Sequence, residues 1–288
     1  MKKMFQHLNC LASAALLTIG LINSVSAQTV RWTAGGDQTS WTDANNWDSG
    51  VPLSVADIWI DPQLSSLQTV TLGTLVAVIA SDNVYTEWGQ TLNVYGSIAS
   101  GLFFSPVGTV GGPTTTINLY GNGSISAADT FFIGDPFWVN GATPTTIPNV
   151  TVNLYDDSSL TANYIGMAGH LNIYGGTATA NLGFLTGTAT WGAWGSSADP
   201  TSGPATTDAS RLIDIAGGKL VIDGDASVQA ADLITRGILE GDGVVGNVLV
   251  DTISDPGHTV ITAVPEPAGL ALFGLGGFAL FLRRRLVS

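Results

Sequence analysis

The sequence predicts an all-β chain of short, repeating strands. Two compositional facts and one repeat carry that expectation. The 288 residues include 36 glycines, while only 11% are charged and 45% are hydrophobic. Glycine weakens helices and branched residues suit pleated sheet, so many short strands with tight turns are favoured over long helices. The repeat is apolar–Asn–apolar–Tyr followed by a turn former. It reads Leu92-Asn93-Val94-Tyr95-Gly96, Ile117-Asn118-Leu119-Tyr120-Gly121, Val152-Asn153-Leu154-Tyr155-Asp156 and Leu171-Asn172-Ile173-Tyr174-Gly175, with a degenerate copy at Ile213-Asp214-Ile215-Ala216-Gly217.

Before the repeats stand two other segments. Residues 1–27 open with Lys2 and Lys3, continue through an apolar stretch from Leu11 to Ile22, and end in Val25-Ser26-Ala27. A basic start, a short apolar centre and small residues at the −3 and −1 positions predict a secretory signal peptide cut between Ala27 and Gln28. Cys10, the only cysteine, lies inside it, so the mature chain is expected to hold no disulfide and no thiolate-bound metal. Residues 28–62 then carry Trp32, Trp41, Trp47 and Trp59, half of the eight tryptophans. Their expected role is a cap whose aromatics cover the first strand edges. A sugar-binding aromatic platform is the functional alternative.

The repeats occupy residues 63–252. Successive asparagines, with Asp214 last, are 25, 35, 19 and 42 residues apart, so the period is irregular. Further strand signals follow the later four copies, in "NGSISAADTFFIGD", "DDSSLTANYIGM", "GGTATANLGFL" and "GKLVIDGDASVQAADLI". Alternation puts the apolar pair of each first strand on one face and Asn with Tyr on the other. A unit of two or three short strands cannot bury its own apolar face, whereas stacked copies can. The expected architecture is therefore a β-solenoid, or parallel β-helix, in which the asparagines form an amide ladder and the tyrosines stack. A two-sheet β-sandwich is the rival fold. Gly237 to Asp251 reads as a closing coil with glycine turns between very short strands, and residues 253–263 read as a linker.

The last residues, 264–288, have three parts: Val264-Pro265-Glu266-Pro267, an apolar run of 15 residues over about 268–282, and Arg283, Arg284 and Arg285. As a helix the run would reach about 22 Å, short of the ~30 Å hydrocarbon core. The arginines would hold its end on the cytoplasmic side. Pro-Glu-Pro cannot continue a helix or a ladder, so the backbone there stays extended and accessible. A plain single-span anchor is the simpler alternative.

This order of parts resembles the PEP-CTERM sorting signal of Gram-negative bacteria. The resemblance implies a membrane-spanning sorting helix, processing by an exosortase near Pro265 to Pro267, and transfer from a transient hold in the inner membrane to the outer surface or extracellular space. It also implies a bacterium that makes exopolysaccharide and forms biofilm or floc. The Trp-rich segment, through Trp32, Trp41, Asn46-Trp47, Gly50-Val51-Pro52 and Asp57, resembles the opening module of secreted, autotransporter-like β-helix proteins.

Charge and chemistry narrow the function. Residues 28–263 hold four basic and 21 acidic residues, a net charge of −17. Such a surface repels phosphate backbones, so no nucleic-acid partner is expected. Two histidines, His170 and His258, are too few and too far apart for a His-based metal site. Asp223, Asp225 and Ser227 alternate like the start of a calcium loop, but Val228 and Ile234 stand where glycine and a bidentate acid are needed. No G-x-S-x-G elbow occurs, and the close acid pairs Asp156/Asp157, Asp223/Asp225 and Glu240/Asp242 are what abundant acids give by chance. The sequence thus predicts neither an enzyme nor a cofactor. It predicts an exported structural or adhesive protein of the cell surface or matrix, partnered by exosortase and by exopolysaccharide or its own copies. A carbohydrate-binding protein is the alternative, and a β-helix polysaccharide-degrading enzyme ranks third.

Overall fold

The computed structural model describes residues 26–60, 67–87, 89–107, 113–134, 150–185 and 211–265. In chain order its strands are β1 (Ser26–Arg31), β2 (Ser54–Ile60), β3 (Thr69–Leu72), β4 (Ala77–Ala80), β5 (Val84–Glu87), β6 (Thr91–Val94) and β7 (Ser97–Ser100). There follow β8 (Phe103–Val107), β9 (Thr115–Leu119), β10 (Ser124–Ile133), β11 (Val150–Leu154), β12 (Ser159–Met167), β13 (His170–Ile173) and β14 (Thr177–Leu185). The last are β15 (Leu212–Ile215), β16 (Lys219–Asp223), β17 (Leu239–Gly241), β18 (Val244–Val245), β19 (Val248–Asp251) and β20 (His258–Ala263). A helix, α1 (Ser227–Thr235), lies between β16 and β17.

These strands form two sheets, one of twelve strands and one of eight. The short sheet runs β18-β17-β15-β13-β11-β9-β6-β3, and from β3 to β17 every pairing is parallel. Each of its strands from β3 to β15 is followed in sequence by a strand of the long sheet, and both sheets advance one position per repeat. Parallel ladders of this kind are not those of an antiparallel sandwich.

The long sheet changes along its length. In the early repeats it receives two separate strands, so β2 pairs with β4 through Val55 and with β5 through Ile58. From β10 onward the two are merged into strands of nine or ten residues. The joint survives as a register shift, between Ala127 and Thr130 in β10 and between Ala162 and Tyr164 in β12. A bulge there lets one strand serve two directions of the sheet.

The core lies between the sheets and is built in columns. Val70, Leu92, Ile117, Val152, Leu171, Ile213 and Leu239 stand in register through seven strands, each with no exposed surface. In the long sheet Phe104 stacks on Phe131 at 5.0 Å, and Ile165 and Phe184 continue that column. Where the chain turns from the short sheet to the long one the backbone passes very close to the preceding repeat. A Cβ on Gly96 would sit 2.2 Å from the Val76 carbonyl oxygen, and one on Gly123 would sit 2.2 Å from that of Val94. Only glycine fits there.

The N-terminal segment belongs to the stack as well as closing it. β1 pairs in parallel with β2, and residues 39–41 lie beneath β3, with the Trp41 amide bonded to the Thr71 carbonyl at 3.0 Å. Trp32, Trp41 and Trp47 are at most 4% exposed and pack edge to face. A sugar platform made of these three rings is therefore excluded: their faces are spent on each other and on the core. Asn46, fully buried, ties the loop over them. Its Oδ1 accepts from the amides of Gly36 and Gln38, and its Nδ2 donates to Asp37 Oδ1 and the Ser40 carbonyl. Backbone amides of Ser40 and Thr39 on Asp37 hold that carboxyl below its ordinary range.

At the other end two expectations change and one holds. The stretch "ASVQAADLI" was expected as a strand, and its residues from Ser227 are helix α1. Among the described residues β16 pairs with β14 only over Thr177–Ala180, and beyond it Gln229 of the helix bonds both the amide and the carbonyl of Phe184 at 3.3 Å, with Ala230 and Leu233 buried. The helix thus satisfies an edge that a strand would have left exposed. Residues 253–263 are not a simple linker, because His258–Ala263 form β20, antiparallel to β16 and β19, with Thr259 and Ile261 buried. The closing coil does use tight glycine turns: Asp242 and Gly243 both take positive φ between β17 and β18.

Removing the Asn46 side chain strands several amides in a partly buried loop. Asn46→Ala is expected to cost about 2–4 kcal/mol in a denaturant melt.

Candidate functional site

On the outer face of the short sheet, register turns the repeated motif into side-chain columns. Asn93, Asn118, Asn153 and Asn172 are directly opposite one another on β6, β9, β11 and β13. Each amide Nδ2 donates to the Oδ1 of the rung before it, at 2.9 Å from Asn118, 2.8 Å from Asn153 and 2.8 Å from Asn172. Residues 35 apart in sequence thereby become adjacent rungs. The ladder starts above Thr71 and passes into acids at its far end, Asp214 and then Glu240.

Beside it runs the tyrosine column. Tyr95, Tyr120, Tyr155 and Tyr174 stack at 5.0, 4.9 and 5.2 Å with interplanar angles of 20° or less. Burial, with the neighbouring phenols second, raises the Tyr120 and Tyr155 hydroxyls above their ordinary range. Their faces are covered by each other; the end rings, Tyr95 and Tyr174, are 38% and 46% exposed. The corners are strapped across repeats, as where Asp156 Oδ2 accepts the Gly121 amide at 2.9 Å.

Beneath Tyr95 the column stops. The Tyr95 amide bonds the Leu72 carbonyl, so the position below its ring is Gly73, where an added Cβ would meet nothing within 4 Å. Tyr95 also lines an open groove of about 610 Å³ at this corner, together with Thr74, Leu75, Val76, Ala77, Gly96, Ser97, Gly121 and Asn122. None of these is charged, and Leu75 is 99% exposed.

Two further arrays were not anticipated from the sequence. Asn181 Nδ2 donates to Asn163 Oδ1 at 3.1 Å and Asn163 Nδ2 to the Ala128 carbonyl at 2.8 Å, a second short ladder at the bulge. Its signal was the recurrence of Ala162-Asn163 and Ala180-Asn181. On the long sheet Ser97, Ser124, Ser159 and Thr177 form one hydroxyl column, and Ser126, Thr161 and Thr179 form another.

The acids pair differently from their spacing in sequence. Glu240 stands opposite Asp214, not beside Asp242, and burial, then the Asp214 charge, raises its carboxyl above the ordinary range. Asp223 lies 3.3 Å from His258 Nε2, whereas Asp225 accepts the Ser227 amide that opens α1. Among the described residues no group of three or more His, Cys, Asp or Glu converges to hold a metal. His170 replaces threonine in the column beside the asparagines, and burial lowers its imidazole.

The sorting residues mark where the described fold ends. Gln28 is exposed in β1, which also contains Ala27. The Val264 amide bonds the Asn247 carbonyl at 3.0 Å, and Pro265, which has no amide proton, follows it exposed. Glu266, Pro267 and Arg283 to Arg285 lie outside the described residues, as do the apolar run over 268–282 and nearly all of the signal segment. Among the described residues no helix is long and apolar enough to cross a membrane. Compared with known families, residues 263–285 match one described as the PEP-CTERM protein-sorting motif.

The chain carries a PEP-CTERM sorting signal.

The match begins at Ala263, the last residue of β20, so the signal and the folded stack abut. No curated protein and no solved structure matches the chain.

Two predictions follow from the columns. Asn153→Ala removes two ladder bonds at a buried rung and is expected to cost about 2–3 kcal/mol, against about 1 kcal/mol for Asn93→Ala at the end of the ladder, read by thermal melts. Because the folded-state pKa of Glu240 is raised, its carboxyl adds nothing to stability below the unfolded value, destabilises increasingly as the pH rises from there, and does so fully above the folded one. Glu240→Gln is therefore expected to raise the melting temperature at pH 7 and to leave it nearly unchanged at pH 3.5.

Proposed function

We propose that this chain is an exported structural or adhesive protein of the bacterial cell surface or extracellular matrix. Its parallel two-sheet stack is a β-solenoid, and an exosortase recognises its C-terminal signal. The observation that carries the reading is the sorting motif at residues 263–285, placed directly after the last strand. Val264 and Pro265 are exposed where the described fold ends, and prolines on both sides of Glu266 disfavour a helix or ladder there, which suits recognition by a processing enzyme. The apolar run serves as a transient membrane hold, oriented by Arg283 to Arg285.

The body suits such a place. Its strength comes from ladders and stacked columns rather than disulfides, and the net charge of −17 over residues 28–263 keeps it hydrated. The role is non-enzymatic and needs no cofactor. Exopolysaccharide or further copies of the chain are its partners outside the cell.

Mass spectrometry of the exported protein from its host tests the reading. The expected species begins at Gln28 and ends between Pro265 and Pro267. Exported protein that still ends at Ser288 would rule out exosortase processing and leave a permanent anchor.

A further inference from the structure

Four tyrosines make a column whose next rung is the glycine Gly73, and the last ring of the column, Tyr95, also lines a groove. We propose that this groove beside Tyr95 is a binding site for a pyranose ring of a neutral polysaccharide. Tyr120 covers one face of Tyr95, and the residue below the other is Gly73, which has no side chain to fill the next rung. The column repeats at 4.9 to 5.2 Å, so a ring that presents an apolar face one step from Tyr95 continues it. The π-face of an aromatic ring is negative and attracts the weakly positive C–H groups on the face of a pyranose chair.

The rest of the groove selects the kind of ring. Thr74, Ser97 and Asn122 give its lining polar residues able to donate and accept, and Leu75, Val76 and Ala77 give it apolar ones. The groove is open, more apolar than polar in its lining, and its volume of about 610 Å³ lies within the range of small-ligand sites. No lining residue is cationic, and the body of the protein is strongly acidic, so a uronate or phosphorylated polymer meets repulsion without compensation. Neutral hexose polymers fit both conditions. The inference rests on the matrix reading above only for where such a polymer is met; the site itself stands on its geometry.

Isothermal titration of the purified full chain with cellohexaose, maltohexaose and mannohexaose tests it, with a hexamer of polygalacturonate as the acidic probe. At least one neutral oligomer is expected to bind with a Kd of about 1 mM or tighter, and the acidic one to bind at least roughly tenfold more weakly. Gly73→Tyr fills the missing rung and is expected to weaken neutral binding by roughly tenfold or more while keeping the far-ultraviolet circular dichroism. Leu75→Asp, at a fully exposed side chain that the fold does not need, is expected to weaken it as well. Absence of binding by all three neutral oligomers, equal or tighter binding of the acidic one, or full affinity in both variants would overturn the proposal. So would a concentration-dependent dimer, seen by sedimentation and abolished by Gly73→Tyr, because it would assign the groove to a second copy. Processing at the C-terminus does not enter this readout, so either idea can fail alone.

Discussion

In-register parallel pairing is the constraint on which the rest of this structure depends, and the Asn93–Asn118–Asn153–Asn172 ladder is what fixes the register. A parallel ladder shifted by one residue would turn every inward side chain outward. Here such a shift would bring Leu92, Ile117, Val152 and Leu171 to the surface and break every amide bond of the ladder together. The polar outer face and the apolar inner face therefore agree on one alignment. Cross-repeat bonds at the corners, such as Asp156 to the Gly121 amide, add to the same choice.

From that alignment the surfaces follow. Columns of one residue type arise because each repeat places its motif above the last, whatever length of chain intervenes. Tyrosines that would be scattered over 80 residues become one stack, and serines and threonines become rows. The stack also has an empty rung: a column needs equal side chains, and Gly73 has none to offer beside Tyr95. Both ends needed different solutions. Tryptophans and the Asn46-tied loop close the first, while α1 and the antiparallel β19–β20 pair close the second.

Much of this was legible because a column repeats its chemistry in the sequence. The asparagine and tyrosine positions could be aligned by eye, and their ladder and stack are present as the motif implies. The first repeat was not legible in the same way, since Thr71 and Gly73 hold the places of Asn and Tyr. Burial of Trp32, Trp41 and Trp47 was also hidden, because an exposed platform and a core cluster use the same residues. Helix α1 and strand β20 depend on what lies beyond the last full repeat, and local pattern alone does not carry that. The Glu240–Asp214 opposition needed register too, since Asp242 is far nearer in sequence. The sorting signal was legible from its order of parts, and the matched segment begins where β20 ends.

Register is open to direct measurement. With Cys10 replaced by serine, spin labels on cysteines at Thr69 and Leu212 sit on the outer face of strands five rungs apart, linked through positions 91, 116, 151 and 170. Five parallel spacings predict a backbone separation of about 24 Å despite 143 intervening steps of chain, seen as a single narrow peak in double electron–electron resonance. A broad distribution, or a peak beyond about 35 Å, would contradict the in-register stack and with it the columns, the ladder and the groove.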